Sequence, residues 1–117
     1  MNYNKVIFAG YLGADPESWT TPNEKSVCSF SLAVGFGSGD YKGTAWLPVV
    51  CWGRLAETCS QYLSKGSNVL VEGHIRQENW KTEQGRRSRL VVWAEQVRFL
   101  TRQERQQEQK ADGDFPF

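Results

Sequence analysis

Residues 45–76, AWLPVVCWGRLAETCSQYLSKGSNVLVEGHIR, contain two strand patterns separated by a helix pattern. Residues 45–52 have a strand pattern with a period of two, and both of its faces are largely apolar. Residues 54–63 place apolar side chains at helical spacing, and Gly66 follows as a stop signal. Residues 68–76 return to strand alternation. We therefore expect a strand, a short helix and another strand in this order.

The apolar positions of this stretch define part of the expected core. In residues 45–52 one face holds Trp46, Pro48, Val50 and Trp52, and the other holds Leu47, Val49 and Cys51. The helix stripe consists of Leu55, Cys59, Tyr62 and Leu63. Because proline has no N–H group, we expect this strand to be unpaired or bulged at Pro48.

Two strand patterns precede this stretch. The first begins at Val6 and ends before a turn at residues 14–16. The second covers residues 26–34 and places its larger apolar groups on one face, which is expected to face the core. Residues 35–43 are rich in glycine and form the connection to the next strand.

A polar hairpin and a last strand follow the stretch. Residues 77–81 and the residues from 87 onward flank a turn at 83–86, and the last strand covers residues 90–100. Three strands, a helix and two strands joined by a hairpin are the order of the OB-fold, a five-stranded Greek-key barrel that binds oligonucleotides on one face and its loops. A β-sandwich gives no reason for the helix. The expected fold class is therefore all-β, with one short helix between the third and fourth strands.

The length of 117 residues suits one domain with a short tail. Residues 101–110 contain no large apolar side chain, so we expect an OB-fold domain at residues 1–101 and a short, disordered tail at residues 102–117. The net charge of +1 says little about partners, because the charges are segregated. Basic side chains exceed acidic ones between residues 76 and 98.

Neither catalysis nor a metal site is indicated. His74 is the single histidine, and no nucleophile or second base lies at a suggestive spacing from it. Cys28, Cys51 and Cys59 lie in apolar stretches, which favours core positions over a disulfide framework or a zinc site. We therefore expect a protein without enzyme activity, cofactor or metal, located in the cytoplasm.

The five tryptophans are the most informative residues of the chain. An exposed indole stacks on a base and contributes about 1–3 kcal/mol per base, while Lys and Arg neutralise phosphates. Trp80 has polar neighbours on both sides in the predicted hairpin, so we expect it to be exposed. Trp46 and Trp52 are each either a core residue or a stacking platform. The apolar neighbours of Trp93 favour a core position at least as much as an exposed one.

Cations and two further aromatics surround these tryptophans in the sequence. Arg86, Arg87 and Arg89 follow Trp80 and either form a phosphate track or only make the hairpin soluble. Phe36 and Tyr41 make the glycine-rich connection a candidate binding loop.

These residues resemble the bacterial single-stranded DNA-binding proteins over essentially the whole chain. The similar motifs are NKVI at 4–7, GYLGADPE at 10–17, TPN at 21–23, TAW at 44–46, VVCWGRLAE at 49–57, YLSKGS at 62–67, VEGHIR at 71–76 and DGDFPF at 112–117. The resemblance implies an OB-fold that forms a homotetramer, or a dimer, and binds single-stranded DNA with little sequence preference. It also implies association with the nucleoid, and recruitment of replication, recombination and repair proteins by the acidic Pro-Phe tip.

The resemblance also assigns roles by position. Trp46, Trp52 and Trp80 match the stacking aromatics of the family, and Lys5, Arg54 and Arg76 match basic positions near the DNA. The complete predicted DNA-binding set is Lys5, Phe36, Tyr41, Trp46, Trp52, Arg54, Arg76, Trp80, Lys81, Arg86, Arg87 and Arg89. The predicted protein-interaction tip is Asp112, Gly113, Asp114, Phe115, Pro116 and Phe117.

One departure from the family keeps an alternative open. Leu47 and Pro48 stand where the family often has His-Arg, a pair linked to the subunit interface and the DNA. This difference and the modest net charge favour an OB-fold protein-interaction module, such as a primosome or recombination accessory subunit. The residues do not distinguish a chromosomal protein from a plasmid, phage or mobile-element relative.

Overall fold

The structure is a computed structural model that describes residues 1–100, and the predicted tail lies outside these residues. The regular elements are β1 (Val6–Leu12), β2 (Glu17–Thr20), β3 (Ser26–Phe36), β4 (Gly43–Trp52), α1 (Gly53–Tyr62), β5 (Asn68–Thr82) and β6 (Gly85–Leu100). A short 3₁₀ turn, Gly39–Tyr41, lies between β3 and β4. No helix in the described part of the chain is long and apolar enough to cross a membrane.

The strands form one mostly antiparallel sheet in the order β1-β5-β6-β4-β3-β2, and the pairing of β1 with β3 closes it into a barrel. β4 and β6 run parallel where they meet, at Val49–Val92 and Val50–Trp93. With α1 between β4 and β5, this architecture confirms the predicted OB-fold. The short edge strand β2 was not predicted, because its four residues lie between two turn signals.

Strand alternation divides the apolar residues between two clusters. The larger cluster fills the barrel; it contains the predicted inward residues of β3, and on β4 it takes the face of Val49 and Cys51. Its buried members are Leu12, Cys28, Phe30, Leu32, Val49, Cys51, Ala56, Cys59, Leu63, Val69, Val71 and Val92. The smaller cluster, Val27, Val50 and Val91 with Trp93 packed against it, lies on the opposite, outer face of the same strands. This second cluster explains why β4 is apolar on both faces, and it forms the base of the site described below.

The helix differs slightly from its prediction. It covers Gly53–Tyr62, one residue earlier than expected, and Gly53 begins it with a positive φ of 66°. Cys59 and Leu63 are buried in the barrel as predicted. Tyr62 was predicted in the apolar stripe, but it is exposed and its ring lies 6.3 Å from that of Phe99.

The prediction of an unpaired or bulged strand at Pro48 is wrong. Pro48 pairs with Ser31 of β3 in an unbroken register. The carbonyl oxygen of Ser31 accepts a hydrogen bond of 3.2 Å from the backbone N–H of Gly13, so the polar backbone groups of Ser31 point toward Gly13 and away from β4. Ser31 and Pro48 are therefore a non-hydrogen-bonded pair, and the missing N–H group of Pro48 removes no bond to β3.

The three cysteines are buried and unpaired, as predicted for core residues. The sulfur atoms of Cys51 and Cys59 lie 3.9 Å apart, between the end of β4 and α1. Burial raises the pKa of the Cys28 thiol from 9.0 to about 11. The hydrogen bond to Cys59, together with burial, raises the pKa of Cys51 as well.

Candidate nucleic-acid interface

An open groove of about 820 Å³ runs across the outer face of β2, β3, β4 and β6. Its floor is the small apolar cluster, because Val27, Val50 and Val91 all line it. The cross-strand pairs Trp19–Val27, Val27–Trp52 and Ala33–Trp46 bring side chains of three strands onto this face. The groove is thus a direct product of strand register.

Three tryptophans stand along the groove. Trp46 is 59 % exposed and Trp52 37 % exposed, so both of the indoles that the sequence left undecided present surface to the solvent. The third is Trp19 of β2, which is 50 % exposed. Indoles that are half exposed and fixed on a sheet offer flat faces on which bases stack.

Trp19 was not among the residues predicted for the site. The sequence feature that could have indicated Trp19 is the alternation in residues 17–20, where Glu17 and Trp19 share a face. Four residues are too few to establish a strand pattern. Pairing of Trp19 with Val27 is what turns the indole toward the groove.

Trp52 contacts an aromatic ring on β6, which in turn contacts a cation on β5. The ring of Trp93 lies 5.3 Å from that of Trp52, with 31° between the planes. On the β5 side, the guanidinium carbon of Arg76 lies 3.7 Å from the centroid of the Trp93 ring, which is a cation–π contact. Trp93 is half-buried, so it is neither a fully buried core residue nor a fully exposed side chain.

The hairpin formed by β5 and β6 extends the same face. Trp80 is 45 % exposed, as predicted, and pairs with Arg87. Alternation places Trp80 and Arg87 on the face that carries the pair Glu78–Arg89, which reaches the groove. Lys81 and Arg86 also pair with each other, but alternation sends them to the opposite face of the hairpin. The hairpin cations are therefore divided between two faces.

The remaining predicted residues lie around the groove rather than in it. Arg54 is exposed on the first turn of α1, two residues after Trp52. Lys5 precedes β1, and continuation of the pair Val6–Gly73 places it level with His74 on the outer face. Phe36 and Tyr41 are exposed at the β3–β4 connection, where Phe36 lines a separate open depression of about 860 Å³ together with Lys42.

Charge in the groove is more negative than the sequence suggested. Within residues 1–100, its lining carries the carboxylates Asp15, Glu17 and Glu78 and one cation, Arg89. Arg89 is also paired, since its Nε lies 2.9 Å from an oxygen of Glu78. The groove therefore suits the uncharged faces of bases better than phosphates, and the cations Arg87 of the hairpin and Arg54 of the helix lie outside its lining.

The comparison with protein families agrees with this geometry. The family model described as "Single-strand binding protein family" matches residues 3–100. This chain belongs to that family. The match includes every strand, the helix and all five tryptophans, and it ends before the predicted tail.

Individual relatives of the family show moderate identity. The "Single-stranded DNA-binding protein 1" of Chlorobaculum tepidum is 44 % identical over 82 residues, which are 66 % of this chain and 51 % of that protein. The "Single-stranded DNA-binding protein" of Neisseria meningitidis serogroup A is 36 % identical over 106 residues, or 86 % of this chain and 61 % of that protein. A protein of the same name from serogroup B gives the same values. This chain thus spans 51 to 61 % of the length of these curated relatives.

Proposed function

We propose that this protein binds single-stranded DNA without sequence specificity, and that it does so by a non-enzymatic mechanism. Trp19, Trp46 and Trp52 stack on bases in the groove, and Trp80 continues the path onto the hairpin. The observation that carries the proposal is the placement of these exposed indoles on one face of an OB-fold. A π-face exists on every base, so stacking of this kind tolerates any sequence.

Phosphates are held outside the groove in this proposal. Arg87 lies beside Trp80, and Arg54 follows Trp52, so each cation flanks a stacking residue. Lys5 at the edge of the outer face and Lys42 beside Phe36 extend the basic surface further. Lys81 and Arg86 meet DNA only if the strand crosses the hairpin to its other face.

Fluorescence anisotropy of a labelled oligo-dT tests this function. We expect saturable binding that an excess of unlabelled single strand competes away and an equal mass of duplex does not. Trp46→Ala and Trp52→Ala should each weaken binding by about 1–3 kcal/mol. Tyr62→Ala is the matched control, because Tyr62 is an exposed aromatic outside the groove. No binding of oligo-dT by the folded protein would contradict the proposal.

The acidic lining of the groove supports the second candidate, a protein-interaction module. Carboxylates beside exposed indoles also suit a basic protein surface. If the folded protein fails to bind oligo-dT, this candidate takes precedence, with Trp19, Trp46 and Trp52 as its contact residues.

We propose further that the protein forms a homo-oligomer, either a tetramer or a dimer. Within the described residues, the edge of β1 that faces away from β5 is unpaired from Val6 to Ala9. Ile7 on this strand is 55 % exposed, and an open, apolar strand edge readily pairs with another strand. Sedimentation should show an oligomer that Ile7→Lys dissociates. A monomeric wild-type protein would contradict this proposal.

The tip at residues 112–117 is proposed to recruit replication, recombination and repair proteins. It combines two acidic side chains with two phenylalanines and a proline, and the proline reduces the entropy lost on binding. Phe117→Ala in the full chain should reduce the recovery of such proteins in affinity capture without changing oligo-dT binding. Equal recovery by both chains would contradict this role.

A further inference from the structure

β6 contains one residue more than β5 at Glu95. Gly73 pairs with Ala94 and Glu72 with Gln96, so Glu95 has no partner and forms a β-bulge. The strands are very close here, since a Cβ atom on Gly73 would collide with the carbonyl oxygen of Trp93. Alternation places Glu95 on the outer face, as it does Trp93 two residues earlier. There Oε2 of Glu95 lies 2.8 Å from Nδ1 of His74.

Two hydrogen bonds determine the tautomer of His74. Nε of Arg76 donates to Nε2 of His74 at 3.0 Å. Because an arginine nitrogen is always a donor, Nε2 of His74 must be the acceptor and carry no hydrogen. The hydrogen of the neutral ring is then on Nδ1, which donates to Glu95. His74 thus connects the carboxylate to the guanidinium.

The guanidinium of Arg76 is in turn held over Trp93. Its central carbon lies 3.7 Å from the centroid of the indole ring. Trp93 contacts Trp52 of the neighbouring strand at 5.3 Å between ring centroids. An unbroken series of contacts therefore runs from Glu95 through His74, Arg76 and Trp93 to Trp52 in the groove.

We infer that Glu95, His74 and Arg76 are positioning residues, which fix Trp93 and through it the stacking face of Trp52. This inference rests on the proposed function and assigns Arg76 a role other than phosphate binding. The Nε–H group of Arg76 bonds His74, and its planar face covers an indole. Lysine provides neither a planar cation nor the same hydrogen-bond geometry, so Arg76→Lys should behave like Arg76→Ala.

Circular dichroism of the free protein tests the positioning role without DNA. Two indoles at 5.3 Å couple and give an exciton signal in the far ultraviolet. We expect Arg76→Ala, His74→Ala and Glu95→Ala each to reduce this signal while the urea midpoint stays close to that of the wild type. A signal that all three variants retain at full amplitude would overturn the inference.

Binding of oligo-dT at several salt concentrations tests the role of Arg76 in the complex. Loss of one phosphate contact reduces the slope of log affinity against log salt by about 0.7 for a single strand. We expect Arg76→Ala and Arg76→Lys to weaken binding roughly two- to fivefold, as for one cation–π contact, with an unchanged slope. Arg87→Ala is the matched control and should reduce the slope but leave the exciton signal intact.

The outcomes separate this inference from the proposed function. A slope reduced equally in Arg76→Ala and Arg87→Ala, with a full exciton signal in both, would make Arg76 a phosphate ligand and overturn the positioning role. If the wild-type protein does not bind oligo-dT, the proposed function fails, and the exciton measurement still decides whether Arg76 positions the indoles.

Discussion

The indole ring of Trp46 lies directly against Gly13, the residue that follows β1. A Cβ atom on Gly13 would be 2.5 Å from Cζ3 of this ring. No side chain fits between them, so the absence of a Cβ atom at Gly13 leaves the space that the Trp46 ring occupies. This contact joins the motif at residues 10–17 to Trp46, a residue of the proposed stacking surface.

Gly13→Ala should therefore displace the Trp46 ring and weaken oligo-dT binding. The loss should approach that of one stacked base, about 1–3 kcal/mol, because the ring moves rather than the backbone. Gly35→Ala is the control, since the nearest atom to a Cβ there is 4.0 Å away. Equal affinities of both variants would show that the position of Trp46 does not matter for binding.

Trp19→Ala should weaken oligo-dT binding as much as Trp46→Ala does. Trp19 is 50 % exposed and lines the same groove from the β2 side. Its removal costs one stacking contact of about 1–3 kcal/mol. Anisotropy titration measures the change, and an affinity equal to that of Tyr62→Ala would place Trp19 outside the DNA path.

Glu78→Gln should strengthen oligo-dT binding at low salt. The substitution releases Arg89 from its 2.9 Å ion pair and removes one carboxylate from the groove lining. A freed Arg89 that contacts a phosphate should steepen the salt dependence by about 0.7 in slope. Glu83→Gln removes the same charge at the hairpin turn without releasing Arg89, so its slope should equal that of the wild type. An unchanged slope in Glu78→Gln would show that Arg89 does not meet the phosphates.

The free energy of unfolding should decrease as the pH rises from about 9 to 11. The Cys28 thiol ionises near 9.0 once it is exposed and only at about 11 in the folded state, so alkali stabilises the unfolded chain. Below pH 9 the contribution is fully present. Urea titrations of the wild type and of Cys28→Ala measure it, and the wild type should lose more stability over this interval. Parallel curves would contradict the role of Cys28.

Local alternation was sufficient to predict the barrel, but contacts between distant strands were not predictable from it. The inward face of β3 was predicted correctly because a period of two is visible within one strand, whereas the two apolar faces of β4 could not be told apart by alternation alone. The contact between His74 and Glu95 depends on the alignment of β6 with β5, so Glu95 was not recognised as a partner of His74. Pro48 was judged wrongly for the same reason, since its hydrogen-bond requirement depends on the direction in which Ser31 faces.

In the site, too, residue types were predictable from the sequence, but features that depend on strand pairing were not. Trp46, Trp52 and Trp80 were identified by residue type and by resemblance, and the structure shows all three exposed on one side of the molecule. The separation of Lys81 and Arg86 from Arg87 required the register of the hairpin. The acidic lining of the groove was hidden because Asp15, Glu17 and Glu78 belong to two separate segments of the chain.

Intrinsic tryptophan fluorescence during titration with oligo-dT, at low and at moderate salt, is the most direct test that the groove is a base-stacking surface. We expect strong quenching that saturates, and an affinity that falls linearly on logarithmic axes as salt increases. Absence of quenching in a protein with an intact far-ultraviolet spectrum would contradict the stacking of bases on Trp19, Trp46 and Trp52.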